Sequence, residues 1–256
     1  MSSTAEPQTF HHVKQDDGCP CPVHRQQQSD PFTAPLGMEF ADDVSVETIS
    51  ARRAAAIYEH HHSYKDSVPE VNVTHHGLKY QGNLVGAITW RFGLGGKRAV
   101  RWDEDGDLLA RPKSPSDYEE LPAECRQTAH RIIPDVDMED IESREVRYGD
   151  DFLIAARICL AVRMPNLASA ALARSQEKVV TGYCESNDVD FLLTFVRGDF
   201  TGAMIRALRD KGWTCTGWSD PSEASNRDPL PIRDRYKWRF VCPVETVKKQ
   251  STLTDW

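Results

Sequence analysis

The sequence predicts a mixed α/β (α+β) fold, a central sheet flanked by helices. Three observations carry that reading. Hydrophobic residues make up 39% of the 256, enough for a sizeable core. A hairpin pattern lies at 77–80 and 84–90, joined by Gln81-Gly82-Asn83, whose glycine suits a tight turn. After it, strand-like and helix-like runs alternate through the second half, the pattern of a sheet covered by helices.

Taken in order, residues 1–40 read as a flexible tail, with Gln26, Gln27 and Gln28, several prolines and few aliphatic side chains. Residues 42–64 read as the first helix. Ser45 can cap it, and Val46, Ile49, Ala54, Ile57 and Tyr58 form its apolar stripe. It should end within 60–63, and Pro69 prevents much continuation. The hairpin follows, and Gly93, Gly95 and Gly96 break its second strand. Residues 103–145 are acidic and proline-rich and read as an insertion, with a short helix near 125–132. The run 152–162 fits a buried strand stopped by Pro165. Residues 167–180 have helical spacing, 190–196 are β-rich, and 200–211 are helical with Gly212 as the C-cap. Two closing strands are expected at 213–218 and 236–241, before a C-terminal tail over 246–256.

The net charge of -8 is unevenly spread: residues 103–151 hold 16 acidic and 6 basic residues, net -10, leaving +2 elsewhere. A mean hydropathy of -0.54 and the lack of any stretch near the ~20 apolar residues of a spanning helix exclude that class. The start of the chain has no basic segment followed by an apolar one, so secretion is not expected. Seven scattered cysteines, an odd number, do not make a disulfide framework. A soluble protein of the cytoplasm (the host cytoplasm for a viral protein) is expected, with no membrane partner.

The turn Met164-Pro165-Asn166-Leu167-Ala168-Ser169-Ala170 joins an expected buried strand to an expected helix. Such a helix start presents unpaired N–H groups and a positive dipole end, which suits a pyrophosphate. Asn166 can cap the helix, and small Ala168, Ser169 and Ala170 admit an anion; a plain capped helix is the alternative. No glycine-rich phosphate loop is present. His60, His61 and His62, with Ser63 and Tyr64, form the densest polar cluster, and His75 and His76 lie one short connection away. Neutral imidazoles act as general bases or metal ligands; a solvent-facing helix end, where histidine suits the dipole, is the alternative.

Cys19, Cys21 and His24 resemble half a zinc knuckle, but no second cysteine pair follows nearby. Asp199 follows an expected strand, where α/β sheets bind ligands, or else caps the next helix. Two basic stretches offer local positive surface: Arg91, Lys97, Arg98 and Arg101, and the segment 227–249 with Arg233, Arg235 and Lys237. Each is either a polyanion contact or an ordinary solvated face. Trp213, Trp218, Tyr236 and Trp238 read as core, with base stacking as the alternative.

The order of elements resembles the GNAT (N-acetyltransferase-like) fold, and the local residues are similar to a divergent branch of it, the Mom-type DNA modification proteins of phages. The resemblance rests on His61-His62-Ser63-Tyr64-Lys65-Asp66-Ser67 and on Leu84-Val85-Gly86-Ala87. It rests further on Pro165-Asn166-Leu167-Ala168-Ser169, preceded by Arg157 and Arg163, and on Phe200-Thr201-Gly202 leading to Gly212-Trp213. It covers residues 44–245, most of an expected catalytic domain at 41–245. Arg197 or Gly198 stands where the family carries an aspartate, making Asp199 the nearest substitute.

The resemblance implies conversion of adenine in double-stranded DNA to its N6-carbamoylmethyl (acetamido) derivative, protecting viral DNA from host restriction. It implies acetyl-CoA or a related acyl donor, and iron or another divalent metal. N6 is a poor nucleophile, so the base would be extruded into a pocket. By the same resemblance His61, His62, Tyr64 and Asp199 would be catalytic, with His62 and Asp199 as metal ligands. Arg163, Asn166, Ala168 and Ser169 would hold the cofactor, and Arg91, Lys97, Arg98, Arg101, Arg233, Arg235 and Lys237 the DNA backbone; a homodimer is the oligomer considered. The rivals are an ordinary GNAT acyl-CoA N-acyltransferase acting on a protein or small-molecule amine, and a non-enzymatic nucleic-acid-binding or zinc-binding adaptor.

Overall fold

The structure, a computed structural model, describes residues 8–9, 43–62, 68–69, 71–92, 97–102, 108–109, 123, 142–147, 152–163, 166–197, 203–219 and 237–254. Cys19, Cys21 and His24 of the expected tail, and the short helix expected near 125–132, lie outside them; within the tail, residues 8–9 form a short strand. The mixed α/β expectation holds. Seven of the chain's strands are β2 (Val44–Thr48), β3 (Val73–Tyr80), β4 (Asn83–Phe92), β8 (Phe152–Leu160), β10 (Phe191–Arg197), β11 (Thr214–Ser219) and β12 (Lys237–Pro243). β2-β3-β4-β8 neighbour one another in that order, and so, separately, do β10-β12-β11. Two smaller sheets pair β1 (Gln8–Thr9) with β9 (Val162–Arg163), and β6 (Leu108–Leu109) and β7 (Glu142–Arg147) with β5 (Lys97–Trp102). The chain divides into two compact units, 1–92 with 154–185, and 93–153 with 186–256.

In the first unit, residues 42–64 do not form one helix. Val44–Thr48 pairs antiparallel with β3, and helix α1 (Ala51–His61) starts only afterwards. Its cap is Ser50, which accepts the Arg53 N–H at 3.4 Å, and not the expected Ser45, which lies within β2 opposite Lys79. The expected end within 60–63 holds: His62 is the C-cap. The hairpin also forms as expected. Gln81 (φ 48) and Gly82 (φ 78) both take the left-handed backbone that a two-residue type I′ turn needs. Glycine does so freely; the strain at Gln81 is offset by its N–H and side-chain amide, which donate to the Asp43 carbonyl (3.0 Å) and carboxylate (3.1 Å).

The register of β3 and β4 shifts between Leu78 and Lys79, so Val85 is an extra residue on β4. Its carbonyl accepts the N–H of Ala161, just past β8, at 2.9 Å. Gly86 beside it lies so close to β8 that an added Cβ would collide with the Cys159 carbonyl oxygen. Helix α2 (Leu167–Gly182) buries Leu167, Ala171, Leu172, Val179 and Val180. At the sheet edge, the Lys178 amine donates to the Val46 carbonyl of β2 at 3.2 Å, occupying a backbone acceptor.

In the second unit, β12 pairs antiparallel with both β10 and β11. Helix α3 (Ala203–Asp210) ends at Gly212 (φ 82) as the sequence predicts. The Trp213 N–H donates to the Leu208 carbonyl (3.0 Å) and the Gly212 N–H to the Arg209 carbonyl (3.2 Å), a Schellman ending. Trp213, Trp238, Phe240 and Leu208 are buried here, each contributing on the order of 2–3 kcal/mol of transfer free energy. Helix α4 (Val244–Thr254) occupies most of the segment read as a C-terminal tail and buries Val244 and Val247.

Cys159 and Cys184 in the first unit, and Cys215 and Cys242 in the second, are buried cysteines. Burial pushes the Cys242 thiol up to about 12. No helix among the described residues is long and apolar enough to cross a membrane.

Candidate functional site

Adjacent residues on a strand point to opposite faces, and His75 and His76 of β3 follow that rule. His75 Nδ1 lies 2.8 Å from the Thr89 hydroxyl of β4, which lies 2.8 Å from the Tyr58 hydroxyl of α1. His76 Nδ1 instead lies 2.9 Å from the Ser175 hydroxyl of α2, which also accepts the Trp90 indole N–H at 3.0 Å. Thus α1 and α2 cover opposite faces of the hairpin, and each meets it through one imidazole and one hydroxyl. All six side chains are buried.

Proton accounting orders both clusters. Burial raises the Tyr58 phenol above its ordinary value, against the opposing Thr89 hydrogen bond, so Tyr58 keeps its proton. Every hydroxyl proton finds an acceptor if Tyr58 donates to Thr89 and Thr89 to His75 Nδ1. On the other face Trp90 can only donate, so Ser175 accepts from it and gives its own proton to His76 Nδ1. Both rings then carry their proton on Nε2.

Burial lowers His75 below the ordinary histidine value. Burial first, then the Lys178 charge and His75, push His76 from 6.5 down to about 4. The unfolded chain therefore binds this proton more readily, and acid favours unfolding. Stability should fall between pH 6.5 and 4 by roughly 3 kcal/mol from His76, at about 1.4 kcal/mol per pH unit, with no such loss above 6.5. Denaturant titrations at pH 7, 5.5 and 4.5 measure this, and His76→Asn should flatten that part of the slope.

The turn into α2 is the candidate anion site. Asn166 does not cap the helix as its residue type predicts. It adopts the left-handed conformation (φ 63, ψ -6) and makes no side-chain hydrogen bond to the first turn. No acidic residue lies in that turn, and Ala168 and Ser169 are half-buried. The first helical hydrogen bond is the Ala170 N–H to the Asn166 carbonyl, at 3.0 Å. The N–H groups of Leu167, Ala168 and Ser169 precede it and have no intrahelical acceptor, and a positive dipole end adds to them. Arg163 follows in β9, four residues before the helix.

Among the expected catalytic residues, His61 is buried at 3% exposure, which corrects the solvent-facing alternative for it. His62 is half-buried at the end of α1, with its ring edge-on to Tyr58 at 5.8 Å. Tyr64 and Asp199 lie outside the described residues. Of the expected DNA contacts, Arg91 is the penultimate residue of β4, Lys97, Arg98 and Arg101 lie in β5, and Lys237 begins β12, while Arg233 and Arg235 lie outside the described residues. Among the described residues no three His, Cys, Asp or Glu side chains gather as metal ligands. Thr89, inside an apolar strand run, and Ser175, between Arg174 and Gln176, carry no mark of their own in the sequence. Their signal was the His75-His76 pair itself, which on a strand demands one polar partner on each face.

The chain matches no protein-family model and no curated protein sequence. It is similar in structure to a spermidine N-acetyltransferase variant from Vibrio cholerae (8% identity over 82% of this chain and 99% of that one, TM-score 0.44). It is also similar to the ribosomal-protein-S18-alanine N-acetyltransferase from Escherichia coli (10% identity, 78% and 94%, TM-score 0.41). A third is a GNAT family acetyltransferase from Elizabethkingia anophelis with acetyl-CoA bound (8% identity, 79% and 99%, TM-score 0.38).

Proposed function

We propose that the chain is an N-acyltransferase that moves an acyl group from an acyl-CoA thioester to an amine. One observation carries the reading: the uncapped start of α2, with free first-turn amides, small side chains and no carboxylate to repel a diphosphate. The resemblance of the same residues to an acetyl-CoA-using family agrees with it. A CoA thioester supplies an activated carbonyl carbon. In the transfer the amine nitrogen forms the new C–N bond, the C–S bond breaks, the nitrogen loses a proton and the departing thiolate gains one.

The chain's part is to hold the diphosphate on the amides of Leu167, Ala168 and Ser169, and to take the proton. His62, half-buried like His60, is proposed for the second task on the family resemblance of its segment alone. His61 lies deeper, and His75 and His76 are engaged in the core. Tyr64 and Asp199 remain proposed partners in acid–base work.

The test is incubation of the purified chain with acetyl-CoA and separate amine acceptors: a polyamine, a peptide with a free N-terminus, and double-stranded DNA. Release of free CoA thiol, with acetyl mass added to one of the amines, is the expected result. An absence of measurable acetyl-CoA binding would sink the proposal.

A second reading, modification of DNA adenine, draws on β5 and β7. Lys97, Arg98 and Arg101 on one strand pair in register with a strand carrying Arg144 and Arg147, and Lys97 lies directly opposite Arg147. Like charges in register oppose pairing, and a phosphate backbone would relieve that repulsion. Nucleoside mass spectrometry of DNA exposed to the chain separates this reading from the first.

A further inference from the structure

Helix α2 lies on the sheet mainly through apolar side chains, and apolar contact says little about axial position. Leu, Val and Ala surfaces slide past one another with modest change in buried area, because the hydrophobic effect has no direction. Hydrogen bonds do. Ser175 is fully buried, and its hydroxyl meets two groups on two strands: His76 Nδ1 of β3 at 2.9 Å and Trp90 Nε1 of β4 at 3.0 Å. Moving α2 by one residue would shift that hydroxyl about 1.5 Å along the axis and turn it about 100°. Both bonds would then break, leaving three buried polar groups without partners, which opposes the shift.

We infer that Ser175 is a positioning residue that sets the axial register of α2 and thereby where the first-turn amides stand. It lies eight residues past Leu167, about 12 Å along the helix, so it touches nothing bound at the turn. A rigid helix carries its placement to that end. Ala171, one turn before Ser175 on the same helix face, is buried as well. The inference rests on the proposed binding of a CoA diphosphate at the α2 start.

The test compares two ligands that share a reactive end. Acetyl-CoA carries the diphosphate; S-acetylpantetheine lacks it. Ser175→Ala should weaken acetyl-CoA binding tenfold or more, measured by calorimetry. Its affinity for S-acetylpantetheine, measured by ligand-observed NMR, should stay within twofold of the parent. A general loosening of the fold would weaken both alike and would overturn the inference, as would unchanged acetyl-CoA affinity in a folded variant. Should Ser175→Ala fail to fold, Trp90→Phe removes one of the two bonds while keeping an aromatic ring, and should show the same ligand-dependent loss on a smaller scale. If the parent chain itself binds no acetyl-CoA, the proposed function falls, and this inference with it.

Discussion

Replacing Ser169 with glutamate should cost the protein at least tenfold in acetyl-CoA affinity while leaving it as stable as before, or slightly more so. The two effects have opposite signs for one physical reason. Ser169 is the third residue of α2, where a carboxylate is favourable to the helix dipole and can accept orphan N–H groups. The same charge placed against a diphosphate repels it. Two unit charges 4 Å apart cost about 1 kcal/mol in water and about 4 kcal/mol at the effective dielectric of a protein surface. Tenfold weaker binding corresponds to about 1.4 kcal/mol, inside that interval. Thermal unfolding and calorimetry on the one variant read both quantities. Unaltered affinity in a folded Ser169→Glu protein would place the diphosphate elsewhere.

Gly86→Ala should be among the most damaging single-methyl changes available in the first unit. The added carbon would strike the Cys159 carbonyl oxygen and stand 3.0 Å from Leu160 Cδ2 and 3.1 Å from Leu160 Cα, so backbone atoms would have to yield. The neighbouring Val85 carbonyl receives the Ala161 N–H, so forcing β4 and β8 apart also strains the bond that fixes the end of β8. Overpacking of this kind costs about 1–3 kcal/mol, and for a chain of this size about 3 kcal/mol lowers Tm by roughly 6–12 °C. Gly182→Ala is the control. Nothing lies within 4 Å of its added carbon, and alanine favours the end of α2 by a few tenths of a kcal/mol or more. Equal melting temperatures for the two variants would refute the close approach at Gly86.

Local chemistry was legible in the sequence wherever the structure needed nothing from far along the chain. Gly82 in the hairpin turn and Gly212 after α3 both announce a left-handed backbone, and both adopt one. The α1 boundary was harder. Ser45 and Ser50 are equally good caps by type, and Val46 and Ile49 fit a helical stripe. Pairing with β3, some thirty residues away, makes 44–48 a strand and leaves the cap to Ser50. Asn166 shows the limit of residue type as a signal: the same side chain that caps helices also tolerates the left-handed conformation, and here it takes the second role. The imidazole–hydroxyl pairs were the least visible feature. Their partners are separated by 14, 31 and 99 residues, and no local pattern marks a threonine or serine that a distant ring will need.

Among the described residues the buried cysteines fall two in each unit. A maleimide or iodoacetamide meets each sulfur only when its surroundings open. The rate at which peptides containing Cys159 or Cys184 gain mass therefore times the breathing of one half of the chain, and peptides containing Cys215 or Cys242 time the other. Evolution has in effect left a pair of chemical stopwatches in each unit, readable without introducing any label site.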